Sequence, residues 1–314
     1  MQWWTRLLAL TAACAMAHAA GPVEFGMAEY DAAVAARHLK YKPKIIAELN
    51  LEPPETYRIE PYTAGGAHIT GGDLRGLMYA LIDAADQIRT TGRLKRVHAV
   101  PTAPIRGLKI HAEPQNAWFS SPDFWRAYFA QLARERFNRV QIAFDAIPDK
   151  SGLAMLRMIA QTASQYAVDA GVGIGNTTPA ELERLLVECT AIRFVALHGA
   201  LPAGDVSALL RVFHEIGRRV VLELPVDTAG TPELVLGAGQ AGTPLRLSAP
   251  YGSAPSSRPS DFYLTLDAGQ MGSGPETLDP GSGFEIASPG DSSGRPDALT
   301  VAAWGLSGYG QIKQ

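Results

Sequence analysis

From Arg106 onward, short apolar runs alternate with longer stretches of helical periodicity. The segment RGLKIHAEPQNAWFSSPDFWRAYFAQLARERFNRVQIAF, residues 106–144, sets the pattern: strand, loop, amphipathic helix, tight turn, strand. Further strand candidates follow at 172–176, 193–198, 219–225, 245–250, 262–267 and 283–288, after the first two at 107–113 and 139–144. Helix-like runs at 121–136, 151–169, 179–190, 203–217 and 231–238 separate the first six. Repeated βα alternation predicts a parallel sheet, and eight strands in series predict a (β/α)8 TIM-type barrel. The stretches 251–260 and 268–282 are rich in Gly, Ser and Pro, so the late half of the barrel is expected to be compact and partly irregular.

Side-chain parity divides each strand into two faces. Leu108, Ile110 and Ala112 share one face of the first strand; Lys109, His111 and Glu113 share the other. In the second strand Val140, Ile142 and Phe144 oppose Gln141, Ala143 and Asp145. The apolar faces are expected to pack on helices. The barrel axis would then hold Lys109, His111, Glu113, Glu223, Arg246 and Asp267. Barrel interiors are usually filled by branched apolar side chains, and buried charges must pair or line a wet cavity. Two readings are open: a polar substrate pocket, or a structural ion-pair network such as Arg246 with Glu223.

Residues 21–100 read as a small α/β domain preceding the barrel. YDAAVAARHL is helix-like, and TYRIEPY and AHITGG are short strands. Asp73 is a helix N-cap for LRGLMYALIDAADQIRTTG, with Leu74, Leu77, Met78, Leu81, Ile82 and Ala85 on one face and Gly92 as the stop. The Pro-flanked VPTAPIRG reads as a linker to a barrel domain at 101–314 with a short tail.

Residues 1–20 are set apart. Arg6, the apolar run LLALTAACAMA and the Ala17-His18-Ala19 triplet match a secretory signal peptide with cleavage near Ala19, which predicts a periplasmic or extracellular protein. No other segment is long and apolar enough for a membrane span. Cys14 would leave with the signal, so Cys189 has no intramolecular disulfide partner and reads as a buried small hydrophobe. With 28 basic and 31 acidic residues the formal net charge is −3, which implies neither nucleic acid nor an anionic membrane as partner.

Two carboxyl groups at strand ends can work together, one as a general acid and the other as base or nucleophile. The strand-end carboxylates are Glu113, Asp145, Glu223 and Asp267. Glu223, inside its strand, is the expected acid, because burial raises a carboxyl pKa. Asp267 or Glu113 is the expected partner. Asn116, Trp118, Asp145, Asn176, His198, Arg246 and Tyr251 are candidate substrate-binding groups. Trp118 has an equally good packing alternative. No helical metal-binding spacing and no cofactor motif occurs: His111 and Glu113 read as a hydrogen-bonded pair, GVGIGN as small residues closing a barrel strand, and GAGQAG as a turn without a phosphate-loop lysine.

The pattern IRGLKIHAEPQNAWFSSPDFWRAYFAQLARERFNRVQI resembles the start of the barrel in glycoside hydrolases related to the family 20 β-N-acetylhexosaminidases and family 67 α-glucuronidases. ETYRIEP followed by HITGGDLRGLMYALIDAADQIR is similar to their N-terminal α/β domain, and AAWGLSGYG to a Trp-Gly-x-x-x-Tyr segment after the barrel. The resemblance implies an exported carbohydrate-active hydrolase with an oligosaccharide or polysaccharide fragment as substrate. One departure stands out. Where family 20 enzymes carry an adjacent Asp-Glu pair after strand four, this strand ends in His198, and no carboxylate follows until Asp205. The alternative is therefore a glycan-binding or scaffold protein that keeps the barrel without catalysis. A third class, a sugar lyase or isomerase, would show metal-dependent activity.

Overall fold

A computed structural model of the chain describes residues 21–63, 65–113, 116–198, 206–226, 231–250, 262–266, 283–288, 295–296 and 309–312. The predicted signal segment, Tyr251 and Asp267 lie outside these residues. The chain forms two compact units, Met1–Arg96 and Val97–Gln314.

In the first unit, helix α1 (Pro22–Ala36) precedes strands β1 (Ile45–Leu49), β2 (Tyr57–Pro61) and β3 (Ala67–Gly71), then helix α2 (Leu74–Thr91). β1 pairs parallel to β3, and β2 pairs antiparallel to it. Sequence periodicity missed β1, whose burial is mostly exposed and so carries little apolar alternation. It also began α1 eight residues late, at Tyr30. The Asp73 cap forms as expected: its side chain accepts from Gly76 N at 2.7 Å and Glu55 N at 3.0 Å. Gly92 ends α2 at φ 71°, the left-handed conformation that a side chain would strain. Leu77, Met78, Leu81, Ile82 and Ala85 are buried, but Leu74 in the first turn is 52% exposed.

In the second unit, the expected linker begins as a strand, β4 (Val97–Pro101), which pairs antiparallel with β13 (Tyr309–Ile312). Eight parallel strands then close into a barrel: β5 (Arg106–His111), β6 (Arg139–Ala146), β7 (Asp169–Asn176), β8 (Phe194–Leu197), β9 (Val221–Pro225), β10 (Leu245–Pro250), β11 (Phe262–Leu266) and β12 (Gly283–Ala287). Closure comes from β12 pairing with β5, Glu285 opposite Gly107. Helices α3 (Pro122–Arg134), α4 (Lys150–Gln165), α5 (Pro179–Glu188), α6 (Val206–Glu215) and α7 (Thr231–Ala241) alternate with β5 through β10.

Local sequence explains these elements. Ser121 caps α3 and accepts from Phe124 N, with Pro122 at the first turn. Thr178 and Glu181 form a capping box on α5. Helix α3 buries Phe124, Trp125, Tyr128 and Phe129, and the Trp125 and Phe129 rings stack at 5.5 Å. On β5, β6 and β7 the apolar parity is buried: Leu108 and Ile110, Val140 and Ile142, Val172 and Ile174. Buried Arg106 ties the barrel's entering end together, donating to Arg136 O at 2.7 Å and Ala103 O at 2.6 Å.

The glycines of β7 serve packing. A Cβ on Gly171 would sit 2.2 Å from the Phe194 ring. Gly171→Ala is expected to destabilise the protein by about 1–3 kcal/mol through this overpacking. Urea unfolding of the variant beside the parent checks it; an unchanged midpoint would show that the ring moves aside freely.

Candidate functional site

Inside the barrel lies a charged cluster. Arg139, the first residue of β6, is 3% exposed. Its Nη1 and Nη2 donate to the two oxygens of Glu223, both at 2.7 Å, and Nη2 also donates to Glu285 Oε2 at 2.8 Å. Arg246 Nη1 adds a 2.8 Å bond to Glu223 Oε1, and Tyr263 Oη donates to Glu223 Oε2 at 3.0 Å. The Arg139 guanidinium lies 3.8 Å from the Phe194 ring centroid and 4.7 Å from that of Tyr263, close enough for cation–π attraction. Gly107 leaves room for this side chain: a Cβ there would lie 2.8 Å from Arg139 Cγ. Of the two readings the sequence left open, the Arg246–Glu223 ion pair is formed.

This geometry corrects the expected role of Glu223. Burial alone would raise its pKa, but Arg139 and Arg246 outweigh burial and hold it below the ordinary glutamate value. A carboxylate locked in its ionised form between two guanidiniums is a poor proton donor. Glu285 is the opposite case. Burial raises its pKa, the nearby Glu223 charge adds to the rise, and its share of Arg139 with Lys109 only partly offsets them. Glu285 Oε1 has no hydrogen-bond partner. One guanidinium thus serves two carboxylates unequally.

Above the cluster, toward the C-terminal strand ends, is a cavity of about 250 Å³ lined by Lys109, His198, Pro225, Ser248, Thr265 and Glu285, among others. His198 Nε2 meets Gln141 Nε2 at 2.9 Å. A Cβ on Gly173 would lie 2.5 Å from that amide nitrogen. Desolvation, with help from the Lys109 charge, pushes the His198 pKa down to about 4, so the ring is neutral at pH 7. A neutral imidazole beside an amide can both donate and accept hydrogen bonds.

A larger cavity, about 420 Å³, lies at the other end of the barrel, between Phe213–Arg219 and Ala241–Pro244. Those segments precede β9 and β10. The smaller cavity is the better site, because barrel enzymes work at the C-terminal strand ends.

The remaining expected residues fall in different places. His111 and Glu113 are exposed where the chain leaves the β5 ladder, so they do not join the interior as parity suggested. Glu113 is therefore not brought together with the fully buried Glu223. Asp145 is exposed at the end of β6, and Asn116 is half-buried, its backbone N donating to Glu113 O at 2.9 Å. Asn176 ends β7. Trp118 is 8% exposed, within 6.1 Å of the Phe119, Phe124 and Trp125 rings, so packing rather than an open sugar platform describes it. Cys189 is buried, its pKa pushed up to about 11 by burial, as fits an inert thiol. Among the described residues no group of three or more His, Cys, Asp or Glu could hold a metal ion. No described helix is long and apolar enough to cross a membrane.

Three residues of this interior escaped the sequence reading: Arg139, Tyr263 as a hydrogen-bond donor, and Glu285. Extending the parity count to GFEIAS would have turned Glu285 inward, because Glu285 lies opposite Gly107 in the closing ladder.

No protein-family model matches the chain, and no curated protein matches it. Solved structures do. One is a GH138 enzyme targeting pectin rhamnogalacturonan II, with TM-score 0.69 and 12% identity over 91% of this chain and 49% of that one. The barrel is glycoside-hydrolase-like. A GH89 enzyme from Clostridium perfringens, in complex with GlcNAc-alpha-1,4-galactose, gives TM-score 0.56 and 9% identity over 98% of this chain and 50% of that one. A GH115 4-O-methyl-alpha-glucuronidase with specificity for decorated arabinogalactans gives 0.53 and 12%, over 82% and 48%. At these identities the likeness is one of fold, and it does not single out family 20 or family 67. The chain spans about half the length of these structures.

Arg139→Met is expected to cost about 3–5 kcal/mol, since two buried carboxylates would lose their shared cation. Guanidinium unfolding at pH 7 measures it. The pH dependence has a definite sign. Because Glu223 is depressed, its contribution is present above the ordinary glutamate value of 4.5 and fades as pH falls through its lower folded value. Parent and variant stabilities should therefore converge on acidification. A constant gap from pH 7 to pH 3 would show that Glu223 is not held by Arg139.

Proposed function

We propose that the protein is an exported carbohydrate-active hydrolase that cleaves glycosidic bonds at the C-terminal end of the barrel, with Glu285 as the proton donor. The observation that carries this is Glu285 itself: a buried carboxyl in the cavity wall, with one oxygen unpartnered and a raised pKa. A general acid must be protonated at working pH, and burial beside a second carboxylate is how barrels and other folds achieve this. The second carboxyl group needed for hydrolysis is assigned to Asp267, which follows the cavity-lining Leu266 in sequence. His198, Ser248 and Thr265 supply neutral hydrogen-bonding groups for sugar hydroxyls. The similarity to glycosidase barrels supports the chemistry. In this reading residues 21–100 correspond to the small α/β domain that the family 20 and family 67 relatives place before the barrel.

Glu285→Gln should lower turnover of an aryl glycoside that the parent cleaves by about 100-fold or more. With the acid removed, the alkaline limb of the pH–rate profile should go too, because the raised Glu285 is active while protonated and is lost as pH rises through its folded value. Normal turnover by Glu285→Gln sinks the assignment. A second reading is a glycan-binding barrel without turnover. It is favoured by one fact: among the described residues Glu285 is the single carboxylate lining the cavity, Glu223 being sequestered beneath it. Glycan binding by the parent with no cleavage across a panel of aryl glycosides selects that reading.

Export rests on the first 20 residues, whose charge and apolar pattern match a signal peptide. Expressed with its full N-terminus in a secreting host, the protein should be recovered outside the cytoplasm with a new N-terminus just after Ala19. Recovery of intact Met1 in the cytoplasm refutes it.

A further inference from the structure

Strand β1 ends its sheet with its outer edge in solvent. Among the described residues it pairs with β3 alone. Ile46, Ala47, Glu48 and Leu49 are exposed, as are Tyr41 and Leu51 just outside the strand. An exposed edge that carries apolar side chains is a template for pairing with another chain. The ladder fixes which backbone groups point outward. Ala67 N donates to Lys44 O and Asn50 N to Gly71 O, each at 2.9 Å, so the even-numbered residues of β1 face β3. Ile45, Ala47 and Leu49 therefore each aim one N–H and one C=O away from the sheet.

Charge is unevenly placed along this edge. Lys40, Lys42 and Lys44 lie toward its start, and Glu48 and Glu52 toward its end. An antiparallel copy of the same segment sets each basic flank against the other copy's acidic flank, whereas a parallel copy sets like charges together. Pairing centred on Ala47 uses every outward group: Ile45 of one copy faces Leu49 of the other, and Ala47 faces Ala47. Lys42 then lies opposite Glu52, and Lys44 lies diagonal to Glu48. Within their own chain Lys42, Glu48 and Glu52 meet Asp31, His68 and Arg58, and all three keep solvent-exposed surface. Pairing centred on Ile46 instead sets Leu49 against Pro43, which has no N–H to give.

We propose that β1 is a self-association edge, at which two copies of this chain join antiparallel about a two-fold axis between their Ala47 residues. The proposal goes beyond the hydrolase reading and does not rest on it. A pair of five-residue strands is a small interface, so the association is weak and depends on concentration.

The test is sedimentation velocity on the whole protein across about a hundredfold range of concentration. The mean sedimentation coefficient should rise as monomer gives way to dimer, and added salt should reduce the rise. Ala47→Pro removes an outward N–H and no ladder bond to β3, so it should fold and self-associate about tenfold or more weakly. Urea unfolding of the variant checks the fold. A charge exchange tests the register without proline. Glu48→Lys should weaken the dimer, and Lys44→Glu added to it should restore association. Residues 44 and 48 lie about 13 Å apart along one strand, so the recovery is between copies and not within one. Monomer at every concentration, a dimer that folded Ala47→Pro leaves intact, or no recovery in the charge exchange overturns the proposal. None of these outcomes bears on turnover at the barrel cavity.

Discussion

One guanidinium shared between two carboxylates is the constraint on which this barrel's interior depends. Arg139 cannot be buried alone, and neither can Glu223 or Glu285. Together with Arg246 they form one hydrogen-bonded set, each member placed by a different strand. The closing strands therefore meet through hydrogen bonds as well as ladder pairing. Space for the set comes from Gly107, and the aromatic faces of Phe194 and Tyr263 bracket the guanidinium. An interior built this way resists substitution differently from an apolar one. Truncating any single charge strands the others.

The unequal sharing has a chemical consequence. Glu223 collects two arginines and a phenol, which fixes it as an anion. That fixed anion sits close enough to Glu285 to oppose its ionisation. The buried cluster thus shifts the pKa of the carboxyl in the cavity wall upward. Structural and chemical roles that the sequence treats as alternatives are two layers of one arrangement: an ion-pair floor and a polar cavity above it.

Much of the barrel was legible in the sequence because its signals are local. The eight strand candidates each lie within about three residues of a strand, and Pro, Ser and Thr caps mark the helix starts. Segments with weak apolar alternation were not legible: β1 is mostly exposed, and β4 ends inside what reads as a Pro-flanked linker. The site was legible only in part, for a different reason. The contacts that decide it span 84 residues from Arg139 to Glu223 and 146 from Arg139 to Glu285. Strand parity correctly turns Glu223 and Arg246 inward, but it does not say which cation reaches which carboxylate. Burial alone suggested a raised pKa for Glu223, and the paired arginines reversed the sign.

The same reasoning shows why His198 at the end of the fourth strand is compatible with a working site. In the family 20 enzymes that the sequence pattern resembles, that position precedes an acid pair; here desolvation and Lys109 keep the imidazole neutral. A neutral ring carries no negative charge to stabilise a developing oxocarbenium ion as a carboxylate does, and its described contact is an amide, Gln141. Its capacity is for hydrogen bonding, not for charge. On the proposed reading the acid comes from another strand, and β12 lies next to β5 across the closure of the barrel. That proposal sets the proton donor on the eighth strand instead of the fourth, with the barrel itself unchanged. Strand parity turns Glu223 and Glu285 toward the axis, and the pairing of charges shifts their pKa values in opposite directions.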